Sequence, residues 1–129
     1  MITDKFCALP HGPVPTELYN AIKGQKSVIP NMKNDINVVD YYLLPKRDSD
    51  TDYLSDYDME VLDECISKYG KMSFTELERT SHTDCWEKAR SRKGNHVIYP
   101  GDIARDGGAS EQLVEYINDS IEFNETFGN

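Results

Sequence analysis

The chain has 129 residues, 38% of them hydrophobic, and a formal net charge of −9 at pH 7. This length suits one domain with a modest core, and the composition is typical of a folded protein. An acidic surface repels phosphate backbones, so nucleic-acid binding is disfavoured; a basic partner is favoured, although such acidity also serves solubility alone. No apolar run approaches the ~20 residues needed to span a bilayer, and the N-terminus lacks a signal-peptide pattern. Three cysteines are too few for a disulfide scaffold, so we predict a cytoplasmic protein with reduced thiols.

The first predicted element is a rigid turn that leads into a short helix. Pro13 and Pro15 fix φ and keep the residues before them extended, so residues 9–14 are not helical. Gly12 allows a sharp bend, Pro15 lies in the first turn of the helix, and Gly24 ends it. The apolar face of this helix consists of Leu18, Tyr19 and Ile22.

The middle of the chain alternates between loops and one extended segment. Residues 25–35 are polar and are predicted to form a loop. Residues 36–44 are rich in Val, Tyr and Leu, which predicts one strand or a pair of short strands bent at Asp40. Residues 46–52 form a solvated acidic loop.

The clearest predicted helix begins after Ser55, which caps it together with Asp58 three residues later. Gly70 ends this helix. Its apolar stripe consists of Met59, Val61, Leu62, Cys65, Ile66 and Tyr69.

Two shorter helices are predicted next. Ser73 and Glu76 form a second capping box, which opens a helix that ends near Thr80. Asp84 is predicted to cap another turn or two, over residues 85–90.

The C-terminal third is predicted as a basic turn, a strand and a helix. Residues 91–95 form a flexible segment, and residues 97–99 a brief strand ended by Pro100. The last helix covers about residues 110–123, and the tail 124–129 frays. The cap and apolar face of that helix consist of Ser110, Leu113, Val114, Ile117 and Ile121.

Two blocks of sequence resemble a known family. Residues 8–19 (ALPHGPVPTELY) resemble the A-L-P-H-G-P-V-x-x-x-L-Y block of the SocA-like Panacea antitoxin domain, which occurs in bacteria and phages. Residues 54–73 are similar to its L-S-x-x-E-x-x-x-L-x-x-V-x-x-x-Y-G-x-x-S helix and turn. Glu76, His82 and Trp86 fall in its E-L-x-x-x-x-H-x-x-x-W continuation. The resemblance covers about residues 5–90.

The resemblance implies a fold and a function. The fold is α+β but mainly α, a small helical domain with a short β-hairpin or strand element, and we expect one such domain over residues 1–129. The function is that of a non-enzymatic antitoxin, without metal or cofactor, often encoded on mobile elements. Such a protein neutralises a cognate toxin from the adjacent gene by direct binding.

One departure from the family concerns the N-terminus. Family members usually carry a pair of helices before the H-G-P-V turn, and this sequence starts almost at the turn. We expect a trimmed or divergent form, or another segment or subunit in that place. Without such cover, exposed apolar surface favours an obligate partner or a homo-oligomer.

The candidate site residues fall into two groups. The family-motif residues are expected to maintain the fold, with His11 bonding the turn backbone and Trp86 anchoring the core with its indole N–H paired. The other residues of this group are Gly12, Pro13, Val14, Leu18, Tyr19, Tyr69, Gly70 and His82. The partner-binding candidates are four tyrosines, half of which could instead be core: Tyr41, Tyr42, Tyr53 and Tyr57.

Two other functions stay open. Cys7, His11, His82 and Cys85 are suitable ligand types for zinc or for Cys–His catalysis, but their spacing is unusual, so buried thiols and turn histidines are the simpler interpretation. The main alternative to an antitoxin is a phage or mobile-element accessory or adaptor protein without a toxin partner.

Overall fold

The computed structural model describes residues 4–128, and within that range it contains six helices and five strands. About 49% of these described residues are helical, which confirms the mainly α class with a small β component. The helices are α1 (Thr16–Ile22), α2 (Asp56–Tyr69), α3 (Phe74–Ser81), α4 (Asp84–Ser91), α5 (Pro100–Asp106) and α6 (Glu111–Phe127). The strands are β1 (Phe6–Leu9), β2 (Gly12–Pro15), β3 (Ile36–Val39), β4 (Tyr42–Pro45) and β5 (Val97–Ile98).

The described residues divide into two compact units. Residues 4–16 and 80–128 form the first unit, and Glu17–Arg79 form the second. The extent of a single functional domain over 1–129 stays a prediction. Among the helices of residues 4–128, none has the length and apolar character that crossing a membrane requires.

The first unit is built on a three-stranded antiparallel sheet in the order β2-β1-β5. In β1, Phe6 pairs with both Pro15 of β2 and Ile98 of β5. Strand β1 ends in the turn at residues 10–11, so the predicted rigid turn is the tip of a hairpin. Pro15 closes β2 and α1 starts one residue later, so its expected place inside the helix is wrong by one position.

The core of the first unit is small and lies between the sheet and α4. Ala8, Ala89 and Ile98 are buried there, and three half-buried side chains pack around them: Phe6, Cys85 and Trp86. Small residues at positions 8 and 89 let α4 approach the sheet closely, and the larger side chains fill the edges.

Helices α5 and α6 pack together, and α5 was missed by the sequence analysis. Pro100 was expected to end a strand, but it also starts α5 in the first helical turn, where its missing N–H costs nothing. Gly101 is buried, and a Cβ there would lie 2.2 Å from Oδ1 of Asn118 on α6. Glycine therefore permits this close helix contact.

Helix α6 is longer than predicted. Ser110 caps it by accepting a hydrogen bond from the Leu113 N–H (3.3 Å), as the sequence indicated. The helix continues to Phe127, so the tail expected to fray is helical over residues 124–127. Val114 is buried on its inner face, whereas Leu113, expected on that face, is exposed.

The second unit contains α1 from Glu17 on, the β3–β4 hairpin, α2 and α3 as far as Arg79; Ser81 at the end of α3 belongs to the first unit. Of the two forms considered for residues 36–44, the pair of short strands is correct, and Asp40 at the bend takes a left-handed φ of 52°. Aspartate tolerates this backbone region better than most residues. Gly24, two residues after the end of α1, has a φ of 68°, which fits its predicted role in ending that helix.

The caps of α2 and α3 follow the sequence pattern. Ser55 and Asp58 form a reciprocal capping box, and Ser73 and Glu76 form the same arrangement before α3. The pKa values of the Asp58 and Glu76 carboxyls are both lowered, because the serine of each capping box donates hydrogen bonds to the charged carboxylate. No residue of α2 is buried, however, and in its apolar stripe only Met59 and Tyr69 are half-buried.

Candidate interaction surface

The H-G-P-V motif forms the tip and second strand of the β1–β2 hairpin. Gly12 is buried with a φ of 145°, a conformation that side chains rarely adopt. A Cβ at Gly12 would also lie 2.9 Å from Oγ of Ser81 at the end of α3. Glycine is therefore required here both by the backbone and by a contact with a residue far along the chain. His11 is exposed next to it in the turn.

Helix α4 holds this hairpin through two long side chains. The indole N–H of Trp86 donates to the Leu9 carbonyl (3.0 Å), so the expected pairing of the indole is present. The Arg90 guanidinium donates to the Ala8 carbonyl (3.2 Å). Both bonds bridge more than 75 positions of sequence, and they fasten the central strand β1 to α4. Arg90, predicted to end this helix, thus takes part in the packing of α4 against the sheet.

The rings of His82 and Trp86 stack in parallel, with centroids 3.6 Å apart and planes 6° from each other. The stack covers one face of the half-buried indole and explains why a flat side chain suits position 82. His82 Nε2 is buried and, within residues 4–128, has no hydrogen-bond partner. Trp86 is thus held at both its ring face and its N–H, and it packs against the core while remaining half-buried.

The remaining motif residues lie in the second unit. Leu18 and Tyr19 are on α1 and are each a little over one-third exposed. Tyr69 is the half-buried last residue of α2, and the Gly70 N–H donates to the Ile66 carbonyl (2.8 Å) to close that helix. The structural role of the motif as a whole stays a prediction.

The β3–β4 hairpin presents the most apolar exposed surface of the second unit. Every residue from Asn37 to Pro45 is exposed, although most are apolar. Because Val38 lies opposite Leu43, and Val39 opposite Tyr42, apolar pairs occupy both faces. A two-stranded hairpin buries little by itself and is marginally stable in water, so such surfaces are typical of contacts with another protein.

The four candidate tyrosines are all exposed. Tyr41 is fully exposed at the turn of the hairpin, and Tyr42 is 70% exposed at the start of β4. Tyr53 and Tyr57 lie before and in the first turn of α2, also largely exposed. The expectation that half of these tyrosines are core is therefore wrong, and all four side chains are accessible to a partner.

Acidic side chains surround these segments in the sequence. Asp48, Asp50 and Asp52 are all exposed in the loop that follows β4. Asp35 pairs with the Arg47 guanidinium, which removes one positive charge from the set available to a partner. The accessible charge of residues 40–58 is therefore mainly negative, and it favours a positively charged partner surface.

The first unit also contains a polar cleft of about 530 Å³. Its centre is Asp102, whose side chain is 11% exposed and accepts hydrogen bonds from Lys88 Nζ (2.7 Å) and Arg105 Nη1 (2.9 Å). Arg105 also binds Glu111 through two N–H groups and lowers the pKa of that carboxyl. The cleft is lined by Thr83, Asp84, Cys85, Lys88, Asp102, Arg105 and Asp106.

A second carboxylate in this cleft caps α4. The Cys85 N–H donates to Asp106 Oδ2 (2.9 Å), and this bond is the main reason that the pKa of Asp106 is lowered. The predicted cap, Asp84, is instead the first residue of α4, and Thr83 is the N-cap position. Burial raises the pKa of the Cys85 thiol, so it is protonated at neutral pH and a weak nucleophile. The ion pairs of the cleft link α4 to α5 and α5 to α6. With three aspartates against one lysine and one arginine, the lining keeps a net negative charge.

The zinc and Cys–His hypotheses receive no support from this geometry. The Cys7 sulfur accepts a hydrogen bond from the Thr16 hydroxyl (3.5 Å), and the three cysteines of the chain are free thiols. Within the part of the chain that the structure describes, no group of three or more His, Cys, Asp and Glu side chains is placed to hold a metal ion.

Comparison with known proteins gives one match. The family model described as "Antitoxin SocA-like, Panacea domain" matches residues 1–87, about two-thirds of the chain. It covers the β1–β2 hairpin, the whole second unit and the first residues of α4. No curated protein and no solved structure matches the chain.

Proposed function

Because the chain belongs to the SocA-like Panacea antitoxin domain family, we propose that it neutralises a cognate toxin by direct protein binding. A family of antitoxin-like domains places the chain in a toxin–antitoxin context. The toxin is the product of the neighbouring gene, and the pair act in the cytoplasm. The antitoxin itself performs no catalysis; it blocks the toxin by occupying its active surface.

The observation that supports this proposal is the exposed apolar hairpin β3–β4 inside the family-matching region. Apolar side chains on both of its faces are stabilised when a partner covers them, since burial contributes about 25 cal/mol per Å² of apolar surface. Tyr41 and Tyr42 add large, rigid contact area at the tip and on β4. The hairpin is thus the contact that we assign to the toxin.

The charge of the chain indicates the character of the toxin surface. The exposed acidic loop after β4 and the net charge of −9 match a basic surface, such as one that binds a phosphate-containing substrate. Tyr53 and Tyr57 flank that loop on its C-terminal side and extend the proposed contact. Neutralisation then follows from competition between antitoxin carboxylates and the toxin's own substrate.

The test is growth rescue by co-expression. The product of the adjacent reading frame is induced with and without this chain, and the pair is then isolated by affinity purification. We expect the neighbouring product to stop growth when it is expressed alone, growth to be restored when this chain is co-expressed, and the two proteins to be isolated as a stable complex. A harmless neighbour with no complex contradicts the proposal and favours the accessory-protein alternative.

A pair of variants tests the hairpin itself. Val38→Thr with Leu43→Thr makes one face of the hairpin polar while keeping residues that favour strands. Val28→Thr, at a loop position 84% exposed, is the matched control. We expect the double variant to lose rescue and complex with an unchanged melting temperature, and the control to keep both. Retained rescue by the double variant would leave the antitoxin function intact and refute the contact surface.

A further inference from the structure

Helix α6 carries a second unpartnered apolar surface, separate from the family-matching residues 1–87. Four exposed side chains and one small residue form a stripe along it, here called the α6 stripe: Leu113, Tyr116, Ser120, Phe123 and Phe127. Their spacing of three and four residues is the a/d pattern by which helices pack against other helices. Over 14 steps the stripe extends about 21 Å.

The stripe is distinct from the face that α6 buries within its own unit. Val114 is buried, and Ile117 and Ile121 are half-buried. At about 100° per residue the mean direction of these three residues lies roughly 120° from that of the stripe, and Leu113 is the stripe residue nearest to them. Phe123 and Phe127 contact each other, with centroids 5.1 Å apart, and so form an aromatic end to the stripe.

The charges beside the stripe select the partner. From Asp106 to Gly128 the sequence has six acidic residues and no basic one. Glu115, Asp119 and Glu122 lie along the edge of the stripe that faces away from the buried side. A second copy of the chain would bring like charges together along this edge, which is destabilising, whereas Lys or Arg side chains would be attracted.

The end of α6 adds a second, independent indication. The last turn of α6, like that of α1, contains no basic residue, whereas α2, α3, α4 and α5 each have one. Its C-terminal carbonyls, which carry the negative end of the helix dipole, therefore have no cation from the helix itself. A basic side chain from a partner near Phe127 would supply one.

We propose that the α6 stripe binds an amphipathic helix with an apolar face and basic edges, supplied by a partner protein. Ser120, between Tyr116 and Phe123, leaves a gap that suits a large side chain of that helix. The inference concerns α6 alone and does not depend on toxin neutralisation, so growth rescue and the experiment below succeed or fail separately.

The test uses two synthetic helical peptides of about 16 residues, long enough to cover the stripe. Both have leucine at a and d positions; one has lysine along the edges, and the other has glutamate at the same positions. Binding to the full chain is measured by fluorescence anisotropy at low and high salt. We expect the lysine peptide to bind at least about tenfold more tightly, with affinity falling as salt rises.

Variants of the chain identify the surface. Phe123→Gln, at a position 62% exposed, is expected to weaken binding of the lysine peptide about tenfold without lowering the melting temperature. Ile66→Gln on α2, 67% exposed, is the matched control and is expected to bind normally. Glu115→Gln with Asp119→Asn is expected to reduce the salt dependence.

Three results would overturn the inference. One is equal binding of the two peptides, and another is equal weakening by Phe123→Gln and Ile66→Gln. The third is a dimer in sedimentation that Phe123→Gln dissociates, because the stripe would then be occupied by a second copy of this chain.

Discussion

Replacing Trp86 with alanine tests whether the motif tryptophan maintains the fold or contacts the partner. The change removes three interactions seen in the structure: packing against the core around Ala8, the stack on His82, and the hydrogen bond to Leu9. A fully buried aromatic side chain costs ~3–5 kcal/mol when cut to alanine. Because Trp86 is half-buried, we expect a loss of about 2–3 kcal/mol.

Trp86→Phe distinguishes the contribution of ring packing to stability from that of the indole N–H hydrogen bond. Phenylalanine keeps most of the packing and the stack, but cannot donate to the Leu9 carbonyl. Since Leu9 is exposed, water can replace that donor, and we expect a loss of ~1 kcal/mol or less. Tyr41→Ala, which removes a fully exposed aromatic ring, is the control and should change stability by less than about 0.5 kcal/mol.

The assay is urea and thermal unfolding followed by far-ultraviolet circular dichroism. For a chain of this size, 1 kcal/mol corresponds to roughly 3–5 °C in melting temperature. Hydrogen exchange locates the effect: amides of the β1–β2 hairpin should lose protection in Trp86→Ala, whereas those of α2 should not. The reasoning is refuted if alanine costs less than about 1 kcal/mol or no more than phenylalanine. A stable variant that no longer binds its partner would make Trp86 a contact residue.

Three further changes follow from local geometry. Gly12→Ala forces a side chain into a φ of 145° and should cost ~1–3 kcal/mol in urea unfolding; unchanged stability would contradict the strain argument. Ser55→Ala removes the cap of α2 and should lower its helicity and cost about 1 kcal/mol, against no effect for Ser67→Ala on the same helix. Asp106→Asn weakens the acceptor for the Cys85 N–H. Since the folded-state pKa of Asp106 is lowered, its stabilisation is present above the unfolded pKa and lost as pH falls through the folded value. The stability difference between wild type and Asp106→Asn should therefore be largest at neutral pH and shrink below about pH 4; a constant difference would refute it.

The exposed surfaces explain how a small, acidic chain can serve as a binding module. Only five hydrophobic residues among those described are buried, and many large apolar side chains are accessible on the β3–β4 hairpin, α2 and α6. With so little core, each unit gains modest stability from its own packing, and a partner that covers these surfaces adds stability by binding the folded state.

Features that depend on near neighbours along the chain can be predicted without a structure. The caps at Ser55, Ser73 and Ser110 and the bend at Asp40 were predicted correctly, because the interactions involved reach only a few residues along the chain. The family motif could also be recognised in the amino-acid sequence, and it indicated the family without any structure.

Which surfaces are covered and which are exposed depends on how the helices and strands pack. Periodicity located the apolar stripe of α2 but could not show that most of it is exposed, and it grouped the exposed Leu113 with the buried side of α6. Trp86 and Arg90 donate hydrogen bonds to β1, and Gly12 lies close to Ser81. These contacts join positions about 70 to 80 residues apart in the sequence. Helix α5 escaped prediction because it is short, and because its place depends on packing against α6 through Gly101. Such contacts are set by the arrangement of whole elements, and no local pattern in the chain encodes them.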